Sequence, residues 1–191
     1  MRQSYGIVLV VFVLLATAAL LLFFFWGNML GLMVPNAMSV STTTGGQLTG
    51  RAEEAVPTGF IKYQNEHFGF TFFHPPGGLK EHNEGFGAAT VVYQDATNIF
   101  GFQVFVVPYK NATISEERFA ADVPSGVRTN TVSVNIGKGA IQAVSFDSYD
   151  QALGDTKEIW FLYNGYLYEV TTLKTAESLL APILETWQFL K

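Results

Sequence analysis

No cysteine occurs in this chain. That absence excludes a disulfide framework, a thiolate metal centre, a cysteine nucleophile and an acylated cysteine, so the folded part must be held by its core alone. Charge is scarce as well: charged residues make up 14% of the sequence, against the roughly 25% of an ordinary soluble domain. Arg2 is the only charged side chain among the first fifty residues. What charge there is leans acidic, with 11 Lys and Arg against 16 Asp and Glu and a net charge of −5 at pH 7. The chain therefore lacks the basic face that nucleic acid requires, and nothing electrostatic draws it onto anionic lipid.

The apolar residues are unevenly spread. From Gly6 to Trp26 the sequence reads GIVLVVFVLLATAALLLFFFW, with Thr17 as its one hydroxyl and no ionisable group. At helical rise, Tyr5 to Trp26 covers roughly 32 Å, close to a bilayer's hydrocarbon thickness, with an amphipathic ring at each end. This predicts a transmembrane anchor over residues 1–35. Arg2 and the terminal amine flank it on one side and the next basic residue is Arg51, so the positive-inside bias keeps the N-terminus cytoplasmic and sends the rest across. The run is long for a cleaved signal peptide, and Ala16-Thr17-Ala18 lies inside it, so the segment is expected to stay uncleaved. Gly27 and Gly31 form a GxxxG pair, but at the interface rather than deep in lipid, where close helix approach would use it. Residues 36–58 are rich in Ser, Thr and Gly without apolar periodicity, a flexible linker whose root-mean-square span is about 25 Å. Residues 59–191 then form one extracytoplasmic domain, long enough for a real core.

Within that domain FIKY and FGFTFF, either side of a turn at Gln64 to His67, read as a hairpin ended by Pro75-Pro76-Gly77-Gly78. AATVVY (88–93) and IFGFQVFVV (99–107) read as further strands. Thr113-Ile114-Ser115-Glu116 matches a capping box, predicting a two-turn helix closed by Pro124 and Gly126. TVSVNI and AIQAVSFDSY alternate around Gly137-Lys138-Gly139, and IWFLY and YLYEVTT flank Asn164-Gly165, whose tolerance of positive φ suits a type I′ turn. Leu179, Leu180, Ile183, Leu184 and Trp187 recur at helical spacing after the potential caps Thr175 and Ser178, with Pro182 set to bend or shorten that helix and Gln188 to Leu190 as a last short strand. The expected class is α+β, a mostly antiparallel central sheet flanked by helices.

The opening YQNEHFGFTFFHPPGGLK and the ending NGYLYEVTTLKTAESLLAPILETWQFLK resemble the corresponding parts of PsbP-like domains, the PsbP and Ran-binding Mog fold. The resemblance covers Phe60 to Lys191 and departs from the family's opening at Leu79, where a tryptophan is often found. It implies the same helix-flanked antiparallel sheet. Its motifs mark a fold rather than a site, so no functional residue is carried over.

Chemistry-bearing residues are thinly scattered. His67, His74 and His82 lack HxxxH or HxH spacing and read as turn and surface residues rather than metal ligands. Asp147, Asp150, Asp155 and Glu158 surround an oxygen-rich loop at Ser148 to Thr156, outside the EF-hand register, which a solvated acidic loop explains better than Ca²⁺ binding. Ser145 and Ser148 lack elbow glycines, and Gly137-Lys138-Gly139 lacks the helix that would cradle phosphate. Asn111-Ala112-Thr113 fits a glycosylation sequon, although capping by Thr113 would account for its hydroxyl. Glu53-Glu54 read as solubilising charge in the linker. Alternation puts Trp160 and Phe161 on opposite faces, one core and the other helix-covered.

These readings name no catalytic residue, metal ligand or cofactor. They lead to a single-pass membrane protein displaying a non-enzymatic domain that binds or assembles with another envelope protein. An envelope hydrolase would instead need a converged histidine or carboxylate pair, and a small-ligand or metal sensor an apolar pocket with a few inward polar groups.

Overall fold

The computed structural model describes residues 56–97, 100–138 and 141–190. Among them the chain forms β1 (Ile61–Asn65), β2 (Phe70–His74), β3 (Gly77–Gly85), β4 (Ala88–Asp95), β5 (Gly101–Pro108), α1 (Glu116–Asp122), β6 (Thr129–Ile136), β7 (Ile141–Asp150), β8 (Gly154–Tyr163), β9 (Tyr166–Leu173), a 3₁₀ turn (Lys174–Ala176), α2 (Glu177–Glu185) and β10 (Gln188–Phe189). The strands make two sheets, one of three strands in the order β1-β2-β10 and one of seven in the order β3-β4-β5-β9-β8-β7-β6. Each pairing is antiparallel.

Strand alternation gives the large sheet two faces of different character. On the inner face Val91, Tyr93, Phe102, Val104, Val106, Ile159, Phe161, Tyr168 and Val170 are buried together with Phe70 and Phe72 of the small sheet. β2 lies between β1 and β10 and is buried along its whole length, which is why FTFF runs apolar without alternating. Trp187, just past α2, closes this layer: its ring stacks on Phe70 at 4.6 Å and Phe72 at 5.2 Å and meets Phe161 edge-on at 5.4 Å. Gly137 sits where an added Cβ would fall 2.4 Å from the Trp187 carbonyl oxygen, so no larger residue fits there. On the outer face a smaller cluster of Val123, Phe146, Trp160 and Leu167 packs beneath the α1 segment, with Phe119 stacked on Trp160 at 4.9 Å.

The expected architecture of a central sheet flanked by helices is overturned. The second layer over the inner face is itself a sheet, and the two helices are only seven and nine residues long. Ten of the elements are strands, so the described domain is a mostly antiparallel β structure. Among the described residues no helix is long and apolar enough to cross a membrane. The expected anchor over 1–35, its Gly27/Gly31 pair and most of the 36–58 linker lie outside the described residues.

Local differences have physical causes. β3, GGLKEHNEG, carries no apolar alternation because it is an edge strand whose residues face solvent, and its charges keep that edge from pairing with another chain. The α1 cap is Ser115, whose side-chain oxygen accepts from the Arg118 amide at 3.2 Å, rather than Thr113. α2 starts after Ala176 with no side-chain cap, and Pro182 lies inside it without breaking it. The presumed acidic loop 148–156 is mostly strand: β7 runs to Asp150 and β8 resumes at Gly154.

Candidate functional site

One end of the large sheet carries the β3–β4 and β8–β9 turns. The β3–β4 turn is Gly85-Phe86-Gly87, in which all three residues have positive φ, 81°, 52° and 81°. Glycine adopts that conformation freely, but for phenylalanine it costs roughly 1–2 kcal/mol. Phe86 is nevertheless 92% exposed, so burial does not offset the strain. A bulge between Asn83 and Gly85, with the Gly85 amide donating to Asn83 Oδ1 at 2.8 Å, fixes the turn's exit. The same sheet end carries Pro108, which Gly87 closely approaches, and the Asn164-Gly165 turn, tied to Tyr109 by a 2.7 Å amide bond to the Gly165 carbonyl. Tyr163, 40% exposed, stacks on Phe189 beside it. A groove of about 550 Å³ opens there too, lined by Ile114, Phe119, Val144, Trp160, Leu162 and Tyr163 among others.

The chain enters from the other end. Ile61 pairs with His74, whose ring lies 5.0 Å from that of Tyr93, six residues along β4 from Gly87. The β3–β4 and β8–β9 turns therefore lie at the sheet end opposite the entry point, the loop end, while the β4–β5 and β7–β8 turns share the entry end.

The outer face holds buried acids. Glu158 accepts hydrogen bonds from Thr171 Oγ1 at 2.7 Å, Thr156 Oγ1 at 2.9 Å and Trp160 Nε1 at 3.3 Å, all neutral donors, and burial pushes its carboxyl above the ordinary range. Glu169, one row over, accepts from Arg118 Nη2 at 3.1 Å, while Arg118 Nε contacts Asp122 Oδ2. Burial, reinforced by the neighbouring Asp122, raises the Glu169 carboxyl well above its usual value, and burial raises Asp122 against the opposing pull of Glu169 and Arg118. On the inner side, Asp147 accepts from Asn130 at 2.7 Å, Lys174 at 2.7 Å and Lys157 at 3.1 Å, which hold its carboxyl below the usual range. Lys174 also donates to Glu177 at 2.6 Å, pinning the start of α2 to β7 and β8.

The residues singled out in the sequence do not assemble into one site. His74 is buried, its Nδ1 2.7 Å from the Pro75 carbonyl oxygen, whereas His67 and His82 are exposed. Strand parity sends Asp147 and Glu158 to opposite faces, and Asp150 accepts from the amides of Ala152 and Leu153 in the tight turn. Ser145 and Ser148 likewise leave opposite faces. Among the described residues no group of three His, Asp or Glu is arranged to hold a metal ion. Gly137 and Lys138 form a hairpin turn with φ of 60° and 59°, and Asn111 to Thr113 are an exposed loop. Glu53-Glu54 lie outside the described residues. Phe86 was missed by sequence reasoning, although an aromatic between two glycines at a turn was a visible signal.

The domain so described is a two-layer antiparallel β structure. No family model matches the chain, and no curated protein matches it. Among solved structures it is similar to cyanobacterial PsbP (CyanoP) from Synechocystis sp. PCC 6803, with a TM-score of 0.48 and 15% identity over 73% of this chain and 98% of that one. It is also similar to a protein from Bacteroides thetaiotaomicron VPI-5482, with a TM-score of 0.46 and 13% identity over 68% of this chain and 48% of the other. Likeness this distant assigns no activity and no site residue.

Proposed function

We propose that the domain is an extracytoplasmic, non-enzymatic docking module, held at a membrane by the apolar run at residues 6–26, that binds or assembles with another envelope protein through its loop end. The observation that carries this reading is Phe86, a large apolar side chain held out in water on a strained backbone between two glycines. Aromatic side chains that fill a partner's pocket supply much of the affinity of protein interfaces, and strain at an exposed position is retained where binding uses it. The acids of the outer face are committed to internal hydrogen bonds, which argues for a scaffold role for them rather than for catalysis.

The test is site-specific cross-linking in intact cells, with a photoreactive side chain at position 86 of the full chain and, for comparison, at Leu179, which is 52% exposed on α2. One discrete adduct from position 86 and none from 179 supports the reading. Equal, diffuse labelling from both positions, or no adduct from either, overturns it.

A further inference from the structure

α1 has a light hold on the outer face of the sheet. None of its seven residues is fully buried, its apolar hold on the sheet is Phe119 on Trp160 and Phe146, and its one charged tie to the sheet is Arg118. That guanidinium lies between Asp122, one turn further along the same helix, and Glu169 of β9, and all three side chains are largely shielded from water. Two ionised carboxylates beside one cation would leave a net negative charge in a poorly solvated site, whereas one proton between them makes the trio neutral.

We propose that Arg118, Asp122 and Glu169 form a proton-dependent latch, which seats α1 on the sheet while the two carboxyls hold one proton between them and releases the helix when both ionise. The Tyr109 hydroxyl, just past β5, accepts from the Ser115 amide at 3.0 Å at the start of α1 and lies in the field of Arg118. On β8, Trp160 stands opposite Glu169 and the next acid, Glu158, is itself without a charged donor; on β5 the residue opposite is Phe105. Across β4, His82 of β3 is exposed at the far end of that row, and Arg128 lies over the Phe119 ring at 4.1 Å and pairs with Glu116. Both acids of the latch have their proton affinity raised by burial in the seated state. Seating is therefore complete at low pH and is lost as pH rises through those raised values. Release withdraws Phe119 from the lining of the loop-end groove and from Trp160 and Phe146, so the latch would set the shape of that groove whichever partner it meets.

Hydrogen exchange on the full chain tests this, with intrinsic rates corrected for pH. Between about pH 5 and about pH 9, protection of residues 116–123 is expected to fall at least about tenfold more than that of β5 and β9. Glu169→Gln, whose neutral amide stands in for the protonated acid, is expected to hold α1 protected throughout; Asp122→Asn on the helix gives the same readout if the sheet variant fails to fold. Protection of 116–123 that tracks β9 across this range, or a pH dependence unchanged in both variants, overturns the latch.

Discussion

The two faces of the seven-stranded sheet solve burial in opposite ways. The inner face is aromatic and nearly free of charge at its centre, closed by a second sheet and by Trp187, with Phe161 and Tyr168 stacked at 5.0 Å. The outer face buries glutamates and threonines between Trp160 and Phe146 and covers them with one short helix. Dispersion and apolar burial are insensitive to pH, whereas buried acids depend on every partner staying in place. The contrast teaches where each property resides: cohesion in the apolar inner face, and on the outer face a burial that depends on partnered acids.

Removing the inner keystone gives the largest effect. Trp187→Ala is expected to cost about 4 kcal/mol in urea unfolding, while Trp187→Phe costs less than half of that, because its indole nitrogen has no hydrogen-bond partner to lose. A Phe variant as damaging as the Ala variant would show that the site needs more than ring volume. On the outer face Arg118→Ala is expected to cost about 3 kcal/mol, since it leaves two acids buried without their cation. A loss under about 0.5 kcal/mol would erase the contrast, as an exposed pair would behave that way.

Asp147 sharpens the comparison from the acid side. Its carboxyl is held low by its donors, so its contribution is present above the ordinary carboxylate range and is lost as pH falls, the reverse of Glu169. Asp147→Asn is expected to cost about 1 kcal/mol near neutrality, and thermal melts should show its deficit vanishing as the solution is acidified. The smallest effect on stability has the opposite sign: Phe86→Gly relieves the left-handed strain and is expected to raise stability by about 0.5–1 kcal/mol.

Much of the strand pattern was legible because alternation reports burial on one face. The parity of β7 and β8, the opposite placement of Trp160 and Phe161, and the Asn164-Gly165 turn, with φ of 47° and 80°, follow from it. β3 was not legible, since an exposed edge strand has no apolar face to display. Nor was the layer count: nothing local in FGFTFF says that a second sheet, rather than a helix, will cover Phe70 and Phe72. The helix cap was misplaced by two residues because Thr113 and Ser115 can both cap, and packing of Phe119 on Trp160 chose between them. The Arg118, Asp122 and Glu169 set spans 51 residues between its helix and strand members and is invisible before strands are aligned.

The docking account turns on Phe86, and one paired measurement on Phe86→Gly in the full chain tests it most directly: the melting temperature, and the yield of the discrete partner complex recovered by a non-specific short cross-linker in intact cells. A higher melting temperature together with a complex reduced at least about tenfold is the expected result. A complex recovered undiminished from the stabilised variant would contradict the account, because the exposed aromatic would then serve no partner.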